Sequence, residues 1–354
     1  MRKQKDVTYK DRTMGWWHPD RHADRRPLLL TRNRIKAAFR HFFEMDGFTE
    51  VECGQIQRSP GNETHLHAME VALKTADGES VTRYLHTSPE FAMKKLIAGG
   101  EKRIFDFARV FRNLERGALH APEFTMLEWY RTEEPYETLM TDCAKLLALA
   151  AETSGVKFFD HRGRSCDPFK DAERLTVAEA FDRYAGIDLL ATTPNGIPDC
   201  EALRATVIKA GLRVAHDDTW ADLFSRVMVE KIDPYLGIDR PTILCEYPIS
   251  EAALARPKPS DPLVADRFEL FVCGVELANA FCELTDAHEQ RQRFEKDMSL
   301  KERIYGERYP LDEDLLKALT FMPPTSGIAL GFDRLVMLAT HAPHIDDVMW
   351  TPLI

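Results

Sequence analysis

The strongest constraint on the fold is a pair of strand-like segments joined by a polar loop. Residues 104–112 are rich in aromatic and branched side chains, and residues 123–131 alternate with the two-residue period of a β-strand. The loop between them, 113–122, contains polar residues, a glycine and a proline. This pattern predicts a long antiparallel hairpin and therefore an antiparallel sheet.

One face of the second strand has two interpretations. Phe124, Met126, Glu128 and Tyr130 share that face. Alternation alone favours a half-exposed sheet with a solvated Glu128, because a buried carboxylate needs a cation or hydrogen-bond donors. The alternative is a binding surface on which an aromatic ring, a carboxylate and a phenol follow one another.

A helix start is predicted at Ser88-Pro89-Glu90. The serine can cap a helix, the proline suits its first position, and the glutamate complements the positive helix end. Phe91, Leu96 and Ile97 would face the core, and Gly99-Gly100 would end the helix.

The rest of the chain predicts one large domain behind a short arm. Residues 1–27 are polar and predict an N-terminal arm, poorly ordered or strapped to the surface. Residues 28–354 form the domain, in which 137–232 predict a mainly helical insertion of short amphipathic pieces. The other predicted elements are helices at 35–43, 286–306 and 333–341 and strands at 48–53, 267–285 and 327–332, with a turn at 273–274.

Composition and charge disfavour several classes of protein. Lys and Arg number 47 against 57 Asp and Glu, and the net charge of −10 disfavours a nonspecific nucleic-acid binder. There is no apolar run of membrane-spanning length and the charged N-terminus is not a secretory signal, so we expect a cytoplasmic protein without a membrane partner. The seven cysteines form no CxxC pair, which predicts reduced thiols. The sequence contains no GxxxxGKS/T loop and no GxGxxG after a strand, so a nucleotide would bind by another route.

Charged residues on predicted strands are candidate ligand contacts. Arg112 and Asn113 end the first hairpin strand, where an arginine fork could grip a phosphate, although a surface arginine is the simpler interpretation. Glu276 and Glu283 lie seven residues apart and would point in opposite directions in an ideal strand. They could bind one metal ion only if a bulge or a strand end re-aims one of them, and spacing alone favours two unrelated carboxylates.

A predicted strand runs into a helix near the C-terminal end of the chain. Gly327 and Gly331 permit a ligand to approach the backbone closely, and Arg334 in the first helical turn would direct a cation toward it. His65 and His67 have the spacing of metal ligands but lack a third ligand nearby, so we interpret them as structural.

Four segments taken together resemble one family. FRNLERGALHAPEFTMLEWY, residues 111–130, closely resembles motif 2 of the lysyl branch of class II aminoacyl-tRNA synthetases, and GIALGFDRLVML, residues 327–338, resembles motif 3. Residues 30–53 resemble motif 1, the dimer element, and VELANAFCELTD, residues 275–286, resembles the metal and substrate strand of the lysyl enzymes. The order and spacing agree over residues 28–341.

The resemblance narrows to the elongation factor P (R)-β-lysine ligase family, a class II lysyl-tRNA synthetase-like catalytic core lacking the anticodon-binding domain. Only about thirty residues precede motif 1, too few for a five-stranded anticodon-binding barrel. Members of the family activate (R)-β-lysine, and less well lysine, with ATP and transfer it to a lysine ε-amine of elongation factor P. Ala329 supports this branch, since lysyl-tRNA synthetases usually have glycine there.

The resemblance also implies an architecture and a set of partners. The fold would be α+β, with an antiparallel sheet flanked by helices and the mainly helical insertion. The protein would be a homodimer that uses ATP as a substrate with Mg²⁺, takes elongation factor P as the acceptor, and has little use for tRNA.

On the nucleotide side, the resemblance implies that Arg112 is catalytic and holds the ATP α-phosphate. Phe124 would stack on adenine, Arg334 would bind the γ-phosphate region, and Glu276 and Glu283 would bind Mg²⁺. The complete implied ATP-binding set is Arg112, Asn113, Phe124, Glu276, Leu277, Gly331 and Arg334.

On the amino-acid side, the resemblance implies that Glu128 and Tyr130 bind the side-chain ammonium of the substrate. Glu90 would meet the other amine and Asn279 the carboxylate. The complete implied substrate-binding set is Ser88, Pro89, Glu90, Glu128, Tyr130, Asn279, Glu283 and Ala329.

Four positions depart from the family pattern. Leu114 and Ala121 stand where motif 2 often has Glu and Asn, Gly54 stands where motif 1 has Pro, and Cys282 replaces a common His. Two alternatives to the implied function follow. One is another ligase on the same core, charging tRNA or a different amine, and the other is a catalytically silent pseudo-synthetase.

Overall fold

The computed structural model describes residues 15–353 and has the mixed α+β composition that the sequence predicts. The helices in this part of the chain are α1 (Pro19–Met45), α2 (Glu90–Ala98), α3 (Glu137–Ser154), α4 (Val177–Ala185), α5 (Cys200–Lys209), α6 (Trp220–Val227), α7 (Ala287–Tyr305), α8 (Glu313–Leu319) and α9 (Phe332–Ala339). None of them combines the length and the hydrophobicity that a bilayer crossing requires.

The strands form one large sheet and smaller ones. In chain order they are β1 (Thr49–Glu50), β2 (Ile56–Gln57), β3 (Met69–Lys74), β4 (Ser80–Leu85), β5 (Arg103–Phe111), β6 (Glu123–Thr132), β7 (Phe159–His161), β8 (Arg164–Cys166), β9 (Glu173–Thr176), β10 (Thr242–Pro248), β11 (Pro257–Lys258), β12 (Asp261–Val272), β13 (Val275–Cys282) and β14 (Thr325–Gly331). The large sheet has the order β1-β5-β6-β14-β13-β12-β10-β9, and β11 pairs with β12. From β5 to β10 successive strands of this sheet are antiparallel to one another, and the outer strands β1 and β9 pair in parallel with β5 and β10. This arrangement confirms the predicted fold class.

The predicted hairpin is the pair β5 and β6, with Arg103 opposite Arg131 and Phe111 opposite Glu123. Its odd-numbered positions face the hydrophobic core. There the ring of Trp129 lies 5.4 Å from that of Phe43 on α1, with both side chains fully buried. Burial of side chains of this size contributes about 1.5–3 kcal/mol each. The even-numbered positions of β6 are therefore left for the opposite face of the sheet.

Helix α1 differs from the predicted arm. It begins at Pro19, so residues 19–27 are helical, while residues 1–14 of that arm lie outside the described residues. Pro19 suits the first position of a helix, and Arg25 is buried and donates to the backbone carbonyl of Asp346 at 2.9 Å. This contact joins the start of α1 to the C-terminal part of the domain.

The predicted insertion, 137–232, is mainly helical but also contains strands. Helices α3 to α6 lie within it, and β9 joins the large sheet beside β10. Thr176 and Thr219 begin α4 and α6 with reciprocal capping boxes. Stacked rings of Trp220 and Phe224, 5.4 Å apart, contribute to a second hydrophobic cluster that packs on β10.

Other local predictions need correction. The predicted strand at 48–53 contains only Thr49–Glu50, and Leu96 in α2 is exposed although Phe91 and Ile97 are buried. The sequence reasoning missed the sheet of β2, β4 and β3 at 56–85 as well as helix α8.

Candidate active site

The face of the sheet that lies opposite α1 forms the floor of a cavity of about 430 Å³. Helix α2, the end of β5, the loop 58–68 and the start of α9 complete its walls. Ten predicted site residues line it, namely Ser88, Glu90, Arg112, Phe124, Glu276, Leu277, Asn279, Ala329, Gly331 and Arg334.

The other predicted site residues are not in the lining. Glu128, Tyr130 and Glu283 are buried beside it, with at most 3% of their surface exposed. Pro89 precedes the first residue of α2, and Asn113 forms a backbone bridge with His67.

Strand register brings the substrate-side residues into two neighbouring rows. In the first row, Glu269, Asn279, Ala329 and Glu128 lie opposite one another across four strands. In the second row, Arg267, Phe281, Gly327 and Tyr130 do the same. Because directly opposed residues of antiparallel strands share a face, each row presents its side chains on the cavity side of the sheet.

A bulge in β13 places Glu276 on the same face as Asn279. Leu270 pairs with Ala278 and Phe271 pairs with Glu276, so Leu277 is an extra residue on β13. Glu276, Asn279 and Phe281 all line the cavity despite the odd spacing between the first two. β13 therefore contains a bulge, which is one of the two ways in which a side chain at an odd spacing can be re-aimed.

Glu128 is fully enclosed, so the interpretation as a solvated surface residue is wrong. Its side chain accepts hydrogen bonds from the hydroxyl of Ser88 at 2.7 Å and from the hydroxyl of Tyr130 at 2.6 Å. Burial, with a contribution from the nearby charge of Glu90, raises the pKa of Glu128 to about 8. A cation beside Glu128 would therefore stabilise the ionised form of its carboxyl.

A buried lysine that the sequence reasoning missed lies beside these acids. Lys94 Nζ is 2.5 Å from Glu90 Oε1 and 2.5 Å from Glu283 Oε2, and the lysine side chain is 2% exposed. Burial raises the pKa of Glu283 to about 7, against the lowering effect of Lys94. The helical spacing of Glu90 and Lys94, four residues apart, was the available signal.

Glu276 and Glu283, the predicted metal pair, have different charged neighbours. The Glu283 carboxylate is engaged by Lys94, because β13 carries Glu283 to the α2 end of the cavity. Instead, the charge of Glu269 acts on Glu276, and together with burial it raises the pKa of Glu276 to about 7. Both Glu269 and Glu276 line the cavity. The alternation of Arg267, Glu269 and Phe271 in β12 could have indicated Glu269 from sequence.

Arg267, which is paired with Glu269, was also missed. Its guanidinium donates to Glu269 Oε1 at 2.6 Å, to Asn279 Oδ1 at 3.3 Å and to the backbone carbonyl of Glu251 at 2.5 Å. It therefore fixes one carboxylate and one amide of the site at the same time.

Two other guanidinium groups line the same cavity. The Arg112 guanidinium carbon is 5.3 Å from the ring centre of Phe124, and its Nε donates to the backbone carbonyl of Thr87 at 3.4 Å. Arg334 donates to the backbone carbonyl of Glu276 at 3.0 Å, and its Nη2 is 2.7 Å from Nε2 of His120. Burial and the charge of Arg334 lower the pKa of His120, so the neutral ring accepts this hydrogen bond.

The two glycines of the C-terminal strand have different roles. A Cβ on Gly327 would lie 2.3 Å from the ring of Tyr130 and 2.6 Å from Glu283 Oε1, so this glycine makes room for protein side chains rather than for a ligand. Gly331 lines the cavity and would meet only Arg334, at 3.4 Å. Close approach of a ligand to the backbone thus stays a prediction for Gly331 and does not apply to Gly327.

Two departures from the motif 2 pattern lie in different surroundings. Leu114 is 77% exposed with a positive φ of 63°, and it does not line the cavity. Ala121 lines the cavity and packs in a small cluster with Ile345 and Met349. The exposed Leu114 side chain therefore leaves the cavity wall unchanged.

His65 and His67 each contact a protein side chain, and His65 also lines the cavity. His67 Nδ1 is 2.9 Å from Glu307 Oε2, and His65 Nδ1 is 2.9 Å from the hydroxyl of Tyr305. Across residues 15–353 there is no cluster of three or more His, Cys, Asp or Glu side chains arranged to hold a metal ion.

Comparisons with known proteins agree with this geometry. The family described as tRNA synthetases class II (D, K and N) matches residues 5–353. The elongation factor P--(R)-beta-lysine ligase of Sodalis glossinidius is 39% identical over 323 residues, which cover 91% of this chain and 93% of that protein. The proteins of the same name from Klebsiella pneumoniae and Salmonella typhimurium are 38% and 37% identical, over 91% and 94% of this chain and 94% and 96% of their own lengths.

Proposed function

The chain belongs to the class II tRNA synthetase family (D, K and N), in the group of elongation factor P--(R)-beta-lysine ligases, and from this premise we propose its substrates and mechanism. The proposed reaction is the activation of (R)-β-lysine or lysine by ATP, followed by transfer to a lysine ε-amine of elongation factor P. The observation that carries the proposal is a single cavity lined by two guanidinium groups, from Arg112 and Arg334, beside a group of buried carboxyls.

In the proposed first step, the amino-acid carboxylate attacks the α-phosphorus of ATP in line and pyrophosphate leaves. Arg112 binds the α-phosphate and stabilises the charge that develops there, Phe124 stacks on adenine, and Arg334 binds the γ-phosphate region. Asn113, Leu277 and Gly331 complete the nucleotide contacts. The protein contributes position and electrostatic stabilisation, and no covalent enzyme intermediate forms.

The diamine occupies the sheet rows in this proposal. Asn279 binds the substrate carboxylate, while Glu128, Tyr130 and Glu283 bind the distal ammonium. Asn279 and Glu128 are separated by two strand spacings, roughly 10 Å between backbones, which leaves room for an extended lysine chain. Ala329 lies between them and shapes the pocket.

The second amine of the substrate is assigned to the turn before α2. Glu90 lines the cavity there, its backbone N–H donates to the hydroxyl of Ser88 at 3.1 Å, and Pro89 precedes it. Lys94 is one cation beside three carboxyls, those of Glu90, Glu128 and Glu283, which leaves a surplus of carboxyls whose ionised forms further cations would stabilise. This surplus supports a substrate with two ammonium groups.

In this proposal Mg²⁺ is bound by Glu276 together with Glu269, in place of the pair Glu276 and Glu283 that the resemblance implies. Glu276 and Glu269 are both oxygen donors lining the cavity, and the raised pKa of Glu276 reflects a carboxylate that burial and Glu269 leave short of positive charge. Mg²⁺ commonly binds one or two carboxylates together with substrate phosphates, and it would neutralise phosphate charge there. Glu283 is assigned to the amino acid alone.

Adenylate formation can be tested by ATP–pyrophosphate exchange. We expect exchange that depends on (R)-β-lysine or lysine, and its reduction by at least about 100-fold in Arg112→Ala, since a preorganised cation at the developing charge is lost. Arg109→Ala is the matched control, because Arg109 lies on β5 three residues before Arg112, is paired with Glu123 at 3.8 Å and is not in the cavity lining. Absence of exchange with every lysine isomer would contradict the proposal.

The acceptor is tested separately by offering labelled amino acid with elongation factor P or with tRNA. Label on elongation factor P, located by mass spectrometry on a lysine side chain, is the expected result. Label on tRNA would favour the alternative ligase, and ATP binding without exchange, measured by titration calorimetry with Mg²⁺, would favour a silent pseudo-synthetase.

We also propose a cytoplasmic homodimer. All seven cysteines are free thiols, which suits a reducing compartment. Helix α1, in the segment that resembles the dimer element, exposes Leu30 and Met45. A particle of twice the chain mass, 81 kDa from 40.5 kDa per chain, is expected in light scattering.

A further inference from the structure

One cavity carboxyl has no role in the reaction described so far. Glu63 lies in the loop 58–68 and lines the cavity. Within residues 15–353, no hydrogen bond or ion pair engages its carboxylate, and the influences on it come from desolvation by the cavity walls and from charges at a distance. Glu63 is therefore accessible to a ligand that enters the cavity.

The backbone on both sides of Glu63 is held firmly. Asn62 and Thr64 are both buried, and the Thr64 hydroxyl donates to Asp297 Oδ1 at 3.2 Å. Lys301, which is fully buried, donates to the carbonyl oxygens of Thr64 at 3.1 Å and Leu66 at 2.8 Å. This anchoring presents the Glu63 carboxylate from a fixed position rather than from a free loop.

The same loop lies against the turn that carries the proposed substrate contacts. The Thr87 hydroxyl donates to the carbonyl of Pro60 at 2.9 Å, and a Cβ on Gly61 would come within 2.9 Å of that hydroxyl. Thr87 is also the residue whose carbonyl accepts from Arg112. The loop therefore approaches Arg112 and the Ser88–Glu90 turn together.

Electrostatics agree with this placement. Glu63 is exposed to the cavity rather than buried; partial desolvation by the cavity walls raises its pKa to about 7, the charge of Arg112 lowers it, and the charge of Glu90 raises it. The charges of Arg112, assigned to the α-phosphate, and of Glu90, assigned to a substrate amine, thus both act on the Glu63 carboxylate. The acyl carbonyl of the adenylate must lie between those two groups.

We propose that Glu63 is the general base that deprotonates the acceptor lysine in the transfer step. This inference rests on the proposed function. The acceptor ε-ammonium gives one proton to the Glu63 carboxylate, and the neutral amine attacks the acyl carbon. The C–N bond forms as the bond between the acyl carbon and the phosphate oxygen breaks, AMP leaves with that electron pair, and its phosphate takes the second amine proton.

The base must be ionised to act, which gives the expected pH dependence a sign. Transfer to elongation factor P should rise with pH through about 7, the value to which desolvation by the cavity walls raises the pKa of Glu63. The groups that act on Glu63 from the elements around it are Arg112, Glu90, Asp297 and Arg267. Glutamine at position 63 cannot take the proton, so this rise should disappear in Glu63→Gln.

The test compares three partial reactions in Glu63→Gln with those in Glu251→Gln. Glu251 lines the same cavity and burial raises its pKa to the same value, about 7, but the charges that act on it are Arg267, Asp297 and Lys296 rather than Arg112 and Glu90. The reactions are lysine-dependent ATP–pyrophosphate exchange, transfer to elongation factor P, and trapping of the adenylate by hydroxylamine. Hydroxylamine is already uncharged at neutral pH and needs no base.

We expect Glu63→Gln to retain exchange and hydroxylamine trapping within about threefold and to lose transfer to elongation factor P by about 100-fold. Glu63→Asp should recover part of the transfer, and Glu251→Gln should keep all three reactions. Unchanged transfer in Glu63→Gln, or parallel loss of trapping and transfer, would overturn the assignment. Absence of exchange in the wild-type protein would instead count against the proposed function, so the two failures are distinguishable.

Discussion

Replacement of Lys94 by methionine tests whether the buried acids of the site depend on this one cation. Methionine has a similar length and carries no charge, so the change removes the ammonium with little loss of packing. The ammonium lies 2.5 Å from both Glu90 and Glu283, whose side chains are 13% and 1% exposed. Each contact corresponds to roughly 6–7 kcal/mol of attraction at an effective dielectric constant of about 20.

Most of that attraction offsets the desolvation of the three groups, so the net effect is smaller. Removing one partner of a buried ion pair typically costs about 3–5 kcal/mol, because the remaining charge is left without a counter-charge. We expect Lys94→Met to lower the free energy of unfolding by this amount at about pH 8. The measurement is urea denaturation followed by tryptophan fluorescence.

The loss of unfolding free energy in Lys94→Met should be larger at high pH than at low pH. Burial raises the pKa of Glu283 to about 7 even with Lys94 present, and without Lys94 it rises further. A carboxyl whose folded-state pKa is raised is unfavourable when ionised, so its penalty is relieved as the pH falls below that value. At about pH 5.5 the difference between variant and wild type should shrink to about 1 kcal/mol.

Lys95→Met is the matched control. Lys95 is the neighbouring residue and also forms a 2.5 Å ion pair, with Asp312, but it is one-third exposed. Solvent screening limits such a pair to about 1 kcal/mol or less. The double variant Lys94→Met/Glu283→Gln should recover stability relative to Lys94→Met at pH 8. A loss below about 1 kcal/mol in Lys94→Met, or the same loss at both pH values, would refute the reasoning.

Three further predictions concern the sheet rows and the ligand-free site. Gly327→Ala should raise the KM for the amino acid at least about tenfold and lower the free energy of unfolding by about 1–3 kcal/mol, because the added Cβ would overlap Tyr130 and Glu283. Pyrophosphate exchange measures the KM, and urea titration measures the stability. Arg267→Lys should weaken Mg²⁺-dependent exchange about tenfold, because an ammonium cannot hold Glu269 and Asn279 in the same fork; unchanged Mg²⁺ dependence would contradict this. Without ligands, the melting temperature should fall as the pH rises from about 5.5 to 8, since burial raises the pKa values of Glu276 and Glu283, and saturating Mg²⁺, ATP and lysine should flatten that dependence.

Local periodicity was sufficient to predict the centre of the fold. The β5–β6 hairpin follows from the alternation around Trp129, because a strand with one face on the core and one on a cavity keeps a two-residue period. The start of α2 follows from the Ser-Pro-Glu sequence for the same local reason. These signals are contained within a few residues, and no distant contact is needed to interpret them.

The loop 58–68 could not be placed in this way. Its turn-forming residues have no periodicity, and the contact between Thr64 and Asp297 joins positions 233 residues apart. The position of Glu63 is therefore set by contacts with helix α7, including its residue Lys301. The sequence of the loop itself contains no pattern that predicts these contacts. The same argument applies to Lys94, whose burial depends on Glu283 arriving from β13.

Spacing alone favoured two unrelated carboxylates at Glu276 and Glu283, and the Leu277 bulge shows why spacing cannot decide which acids face a ligand. An unbroken strand can present Asn279 and Glu283 to a ligand but turns Glu276 away, so a carboxylate at an odd spacing is useful only if register is interrupted. The bulge lies between Glu276 and Asn279 and separates two functions on one strand. Glu276, before the bulge, acts with Glu269. Asn279 and Phe281, after it, belong to the two rows that end at Glu128 and Tyr130. Odd spacing of polar residues in an otherwise regular strand thus indicates a bulge. Only the pairing with the adjacent strand shows which residues lie beside the polar residues before and after the bulge.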